Sequence, residues 1–300
     1  MRMNCILFKN CRCRLYLSQI MTIFAHFFGS VGMKLKYCFI LLIICSLTSC
    51  GEYYKLLKSD DYEAKWEKAN EYYEQGKYAK TIELLEELKA IYKGTERSEQ
   101  CLYMLANAYY RSKDFYSATN QYQLYYKTYP KGIFAEECRF MSGKAAFDDS
   151  PDPRLSQEGT VQAMDELNVF LEYYPNSQYR PEVEKMMDIL MEKLAYKALL
   201  NCRLYYDLGN YMGNNYESCI ITANNALNDF PISKYRVDFA FMILKARFTY
   251  AQESIEAKQV ERFRRVMDEY YSFTTDFPES DYQKEAKRMF EYARKVVEGK

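Results

Sequence analysis

The sequence predicts an all-α fold, a solenoid of about five stacked helix pairs closed by a C-terminal capping helix. Three observations predict it. From residue 61 onward apolar residues recur at helical spacing, with almost no strand-like alternation. The helical stretches come in twos, and a solenoid needs about three such units to bury a continuous core. One short block also returns four times, as Tyr129-Pro130-Lys131-Gly132-Ile133-Phe134, Tyr174-Pro175-Asn176-Ser177-Gln178-Tyr179, Phe230-Pro231-Ile232-Ser233-Lys234-Tyr235 and Phe277-Pro278-Glu279-Ser280-Asp281-Tyr282. Proline cannot continue a helix and biases the preceding aromatic residue away from helical dihedrals. The Ser or Gly two residues on can cap the next helix. Each block is therefore a helix–turn–helix joint.

Residues 99–129 fit the tetratricopeptide-repeat pattern well. Leu102, Leu105, Ala106 and Tyr109 take its first-helix positions, Ala118 and Tyr122 its second, and Pro130 its terminal proline. Ala106 and Ala118 are small enough to let two antiparallel helices approach. Residues 62–93 repeat this more loosely through Ala69, Tyr72, Tyr78, Thr81 and Leu85. The third unit runs from about Ile133 to Pro175 and carries a polar insertion, Asp148 to Pro153. That insertion lacks the regular ligand spacing and later glutamate of a calcium loop, so it is expected to be a solvated turn. The fourth unit holds a long helix, Pro181 to Asn210, and a second from Asn215 to Asp229. The fifth pairs Lys234–Ser254 with Gln259–Asp276, and Asp281–Val297 closes the array. The expected division is residues 61–177 for repeats one to three and 178–300 for the remainder.

The N-terminal end carries a different signal. Leu47-Thr48-Ser49-Cys50 closes an apolar run, Tyr37 to Leu47, that follows Met33, Lys34 and Lys36. This is the pattern of a bacterial lipoprotein signal peptide over residues 33–49, with cleavage between Ser49 and Cys50. The run is shorter than the roughly 20 apolar residues a membrane span requires. Cys50 is then the predicted lipidation site, bearing a covalent diacylglycerol and an N-acyl chain, with residues 50–60 as the tether. Acyl chains contribute about 0.8 kcal/mol per buried CH2, enough in combination for stable attachment. A signal peptide should start the chain, so residues 1–32 are expected to be an upstream extension, with translation beginning at Met33. Gly51, rather than aspartate, follows Cys50, consistent with release to the outer membrane.

Composition narrows the function. Six of the 41 Lys and Arg precede Cys50 and no acidic residue does, leaving 35 basic against 41 acidic, a net of −6. A mildly acidic surface argues against a nucleic-acid partner, which would require a basic stripe. The four later cysteines, Cys101, Cys138, Cys202 and Cys219, form no CxxC pair and read as small buried hydrophobes. With no histidine after Cys50 and no clustered thiols, no metal site is predicted, and the lipid is the one expected cofactor. No nucleophile–histidine pair or glycine-rich phosphate loop points to an enzyme.

The binding surface is expected on the first helices. Positions 2, 5, 9 and 12 of a tetratricopeptide first helix face the concave side. They read Glu63, Trp66, Asn70, Tyr73, then Gln100, Tyr103, Asn107, Tyr110, then Glu137, Phe140, Lys144, Phe147. Aromatic residues seven apart share one helix face. The prediction is a wall of six rings interleaved with amides, suited to an extended peptide.

The lipoprotein cysteine, the five tetratricopeptide-like units, and the Tyr174 to Tyr179 block behind an Asp-Pro insertion together resemble the BamD family. The resemblance runs essentially from Cys50 to Lys300. It implies a lipoprotein of the outer-membrane β-barrel assembly (BAM) complex, on the periplasmic face of that membrane. It further implies that the N-terminal repeats receive unfolded outer-membrane proteins. The C-terminal repeats would dock on the POTRA domains of BamA, beside the other BAM subunits. The longer fourth and fifth units depart from shorter family members, so no BamA contact is carried over by residue. Two other readings stay open: a repeat lipoprotein coordinating the cell envelope, and a SusD-like nutrient-binding lipoprotein, though SusD-like chains are much longer.

Overall fold

The computed structural model describes residues 52–299. The predicted signal peptide, Ser49 and Cys50 lie outside the described residues. The described residues divide into two units, 52–71 and 72–299. Among the described residues every regular element is helical, which bears out the all-α, tetratricopeptide-like prediction. After a helical segment at residues 52–57 come α1 Tyr62–Glu74, α2 Tyr78–Ile91, α3 Arg97–Arg111, α4 Phe115–Thr128, α5 Ala135–Asp149 and α6 Glu158–Tyr173. The series continues with α7 Arg180–Leu208, α8 Asn215–Asp229, α9 Arg236–Gln252, α10 Glu256–Asp276 and α11 Gln283–Glu298. No described helix is long and apolar enough to cross a membrane.

In the first unit, the Asp61 carboxylate accepts the Ala64 N–H at 2.9 Å and so caps α1. Trp66 and Ala69 form the buried stripe of that helix.

In the second unit each helix packs on the next, and first helices also meet first helices: α5 touches α7, α7 touches α9, and α9 touches α11. Small residues set these approaches. Ala106 and Ala118 are wholly buried, and a Cβ on Gly143 would lie 2.6 Å from Leu167 Cδ2 on α6. The core is not one mass but a chain of clusters. Leu102, Tyr122 and Cys138 join α3, α4 and α5; Phe140, Phe170 and Met186 join α5, α6 and α7. Cys202, Ile220 and Phe239 join α7, α8 and α9; Leu244, Phe273 and Met289 join α9, α10 and α11. Each cluster thus links one helix pair to the first helix of the next, the nearest-neighbour arrangement of a solenoid. Cys101, Cys138, Cys202 and Cys219 are free and buried. Burial pushes the thiols of Cys101, Cys202 and Cys219 up to about 12.

The four proline blocks fold alike. In each, the N–H of the fourth residue bonds to the carbonyl of the first: Gly132 to Tyr129 at 3.0 Å, Ser177 to Tyr174 at 3.1 Å, Ser233 to Phe230 at 3.2 Å and Ser280 to Phe277 at 3.2 Å. The serine hydroxyls then accept the N–H of the sixth residue, Tyr179, Tyr235 or Tyr282, at 3.1 to 3.2 Å. That sixth residue is aromatic for a reason. Phe134 stacks on Tyr103 with ring centroids 3.9 Å apart, Tyr179 on Phe140 at 4.2 Å, and Tyr282 on Phe241 at 4.1 Å. Tyr235 lies more tilted on Tyr196, at 5.3 Å. Every receiving ring belongs to the first helix of the pair that the joint closes.

A carboxylate one turn before the receiving ring completes three of these latches. Glu99 accepts the Tyr125 hydroxyl and the Ile133 N–H. Glu136 accepts the Ser177 hydroxyl at 2.6 Å, and Glu192 accepts the Ser233 hydroxyl and the Lys234 N–H, both at 3.1 Å. In the fourth latch Val237 takes that position, and Asp238 accepts the Tyr282 hydroxyl at 2.8 Å instead. A fifth joint, Tyr92 to Arg97, has the same backbone bonds without proline: Thr95 N–H to Tyr92 at 2.9 Å and Ser98 N–H to Thr95 at 3.1 Å.

The polar insertion exposes the side chains of Asp148, Asp149 and Asp152, as a solvated turn should, and is in addition held from α7. Lys193 of α7 donates to the Ser150 carbonyl at 3.2 Å and its hydroxyl at 2.6 Å, and Lys197 reaches the Arg154 carbonyl at 3.3 Å. Two lysines a turn apart on the long helix hold the loop through its backbone, a contact that loop composition does not reveal.

The stacks carry a stability prediction. Tyr179→Ala should lower unfolding free energy by about 2–4 kcal/mol through lost ring burial. Tyr179→Phe, which keeps the ring, should stay within about 0.5 kcal/mol. Urea unfolding followed by circular dichroism checks both; equal losses from the two variants would remove the stack from the account.

Candidate peptide-binding wall

The first helices of the second unit are cross-linked side by side. The Tyr103 hydroxyl donates to Glu137 at 2.7 Å and the Tyr110 hydroxyl to Asp148 at 2.8 Å, joining α3 to α5. Lys144 pairs with Glu182 at 2.6 Å, joining α5 to α7. Further along, Tyr206 meets Thr249 at 3.0 Å and Asn210 donates to Glu253 at 2.7 Å, joining α7 to α9. Partners 34 to 43 residues apart in sequence are held at one level of the array. The result is a continuous polar ladder along the first-helix face.

This face differs from the six open rings expected. Phe140 is 3 % exposed, stacked on Tyr179 and part of the core. Tyr103 keeps its hydroxyl on the ladder, but one ring face is covered by Phe134. The physical reason is the latch: position 5 of these first helices is where the joint's aromatic residue lands, so burying the ring outweighs presenting it. Asn107 is also engaged internally, donating to the Tyr103 carbonyl at 3.1 Å and accepting the Tyr122 hydroxyl at 2.7 Å. Half-buried Tyr73, Tyr110, Lys144 and Phe147 remain on the face, with Tyr73 set edge-on to Tyr78 at 5.7 Å. In the first unit, Trp66 is 8 % exposed, and Asn70 donates to the Trp66 carbonyl at 2.7 Å. Of the carboxylates that accept from this face, Glu137 is one of the predicted groove positions, whereas Asp148 and Glu182 are not among them. Their signal was in the sequence as acids about one repeat beyond each polar donor.

Burial, reinforced by the carboxylate acceptors, raises the ionisation of Tyr103 and Tyr110 above the usual tyrosine range. Tyr109, half-buried and donating to Glu86 at 2.9 Å, is pushed up to about 12 by desolvation and that carboxylate. Burial raises Tyr73 too, against the opposing charge of Arg111. The face is thus one of neutral phenols and carboxylates at ordinary pH. It can offer hydrogen bonds and ring edges to a bound chain.

Residues 58–212 match the family named YfiO, described as outer membrane lipoprotein. That span is half of the chain. The protein belongs to the YfiO family. A similar protein is the outer membrane protein assembly factor BamD of Caulobacter vibrioides, 21% identical over 136 residues, which are 45% of each chain. The aligned stretch therefore spans less than half the length of this relative. The match bears out the BamD-family resemblance read from the lipobox and the joints. The YfiO span covers every ladder residue from Tyr103 to Glu182 and ends just beyond α7.

The tyrosine environments predict alkaline instability. Unfolded tyrosines ionise near pH 10, whereas Tyr109, Tyr126 and Tyr216 hold their protons to about 12. The unfolded state therefore loses protons first, and stability should fall as pH rises from about 10 to 12. Urea midpoints across that range, with tyrosinate absorbance of the native chain, check this. A flat midpoint would contradict it.

Proposed function

We propose that this protein is a non-enzymatic subunit of an outer-membrane β-barrel assembly complex. The reading rests chiefly on the YfiO match over residues 58–212, a span that contains the rungs of the polar ladder from Tyr103 to Glu182. The name of the Caulobacter relative, an outer membrane protein assembly factor, supports it. In this reading Cys50 carries the lipid that tethers residues 61–300 to the periplasmic face of the outer membrane. Repeats one to three, residues 61–177, hold a segment of an unfolded outer-membrane protein along the first helices. Residues 178–300 dock on the POTRA domains of BamA. Binding uses hydrogen bonds from the ladder and the edges of Tyr73, Tyr110 and Phe147, with no bond made or broken. Latched joints keep successive first helices in register, so a bound chain meets a preformed surface rather than one ordered at the moment of binding.

Affinity purification of the full chain from detergent-solubilised envelopes tests the assignment. BamA should be recovered in stoichiometric amount. Recovery with peptidoglycan-synthesis proteins and no BamA would instead support the envelope-coordination reading. The wall has its own test. Tyr110→Ala combined with Lys144→Ala should weaken binding of an outer-membrane-protein C-terminal peptide about three- to tenfold, with helicity retained. An unchanged dissociation constant would move the client site off these helices.

A further inference from the structure

The turns inside the helix pairs differ along the chain. Between α1 and α2, and between α3 and α4, they are short and polar, Gln75-Gly76-Lys77 and Ser112-Lys113-Asp114. Each places one residue in the left-handed region, Gly76 at φ 69° and Lys113 at φ 65°. The turns α7–α8 and α9–α10 carry apolar tips instead. Tyr211 is 69 % exposed, Met212 91 % and Ile255 67 %.

Met212 is the sharpest anomaly. It adopts a φ of 53°, a region that glycine enters freely and that strains a residue with a Cβ. Its side chain, almost wholly in solvent, returns no burial to the fold. Strain held without internal gain is a mark of an outside contact. The tips are also firmly placed. The Tyr211 N–H donates to the Leu208 carbonyl at 2.9 Å, and the Asn215 amide donates to the Tyr211 carbonyl at 2.8 Å. Glu253, in the α9–α10 turn, accepts the Asn210 amide at 2.7 Å and the Tyr216 hydroxyl at 3.0 Å. The two turns are bonded to each other, so all three tips stand at one end of the second unit.

We infer that this end of the unit dips Tyr211, Met212 and Ile255 into the interfacial layer of a phospholipid bilayer, resting on the membrane attachment through Cys50 proposed above. The tips project from two separate turns, a convex arrangement. A protein partner would need a matching hollow for each turn, whereas a bilayer admits both at one depth. The residue types suit that layer: a tyrosine ring has an apolar body and a polar edge, and methionine adapts its shape to irregular surroundings. The turn backbone stays among headgroups and water, where its polar groups find partners. The contact is apolar, so it needs no anionic headgroup and an acidic chain can make it.

The test uses the full acylated chain, reconstituted into phosphatidylcholine vesicles and recovered by flotation. An environment-sensitive NBD label is placed at Met212→Cys or, for comparison, at Ile232→Cys. Ile232 is 85 % exposed and lies in the joint at the opposite end of α8. Cys101, Cys138, Cys202 and Cys219 are buried and should stay unlabelled in the folded chain. Doxyl-labelled lipid should quench the Met212→Cys label about threefold more than the Ile232→Cys label. Equal quenching of the two labels in floated protein would overturn the inference while leaving the attachment intact. Failure to float would overturn both. A blue shift of the Met212→Cys label produced by BamA in detergent, with no quenching by lipid, would assign the tips to a protein interface and overturn the bilayer contact.

Discussion

The ring pair at each of the four proline joints is the contact on which this architecture depends. Four times a proline turns the chain back, and four times the residue that begins the next helix lies on a ring of the helix pair just completed. An aromatic pair contributes about 0.5–1.5 kcal/mol beyond its area burial. The gain is also directional, because two flat surfaces meet well in few orientations. The carboxylates Glu99, Glu136 and Glu192 add hydrogen bonds to the turn backbone or its serine, so the reversal is held at several points. A helix pair has no core of its own; the latch decides where the next first helix must start, and the cluster then closes around it.

That order explains which parts of the molecule were legible in sequence. The proline hexapeptides mark the reversals, and helical periodicity between them places α7 to α11 within a few residues. The joint at Tyr92 to Arg97 left no proline signal because the hydrogen-bonded turn, not the proline, defines the geometry. There Gly94 adopts a positive φ of 82°, which glycine tolerates without steric cost. The recurring Glu-x-x-x-aromatic pairing on α3, α5 and α7 was equally present as letters, yet nothing local gives it meaning. Its partner lies over thirty residues downstream, and the pairing becomes visible only after folding.

The candidate wall shows the same limit from the other side. Counting first-helix positions found the correct helices, and Tyr110 and Lys144 are on the ladder. The count also assumed that every aromatic residue at those positions was presented for binding. Phe140 and Tyr103 instead receive joint rings, since burying a flat apolar face is worth more inside the array than on its surface. What α3 to α7 present on this face is mostly hydroxyl, carboxylate and lysine, fixed by cross-helix bonds.

A surface of this kind suits handling rather than storage. Under the function proposed above, pre-positioned polar groups would meet an extended chain at little ordering cost, while few exposed rings would limit how tightly it is held. The rungs join α3 to α5 and α5 to α7 at matching levels. Second helices are bonded across repeats as well, Gln123 and Tyr126 of α4 donating to Glu166 of α6. The spacing of the polar groups is therefore set on both sides by the packing of one repeat on the next, and a substitution that shifted one first helix would displace its rungs together.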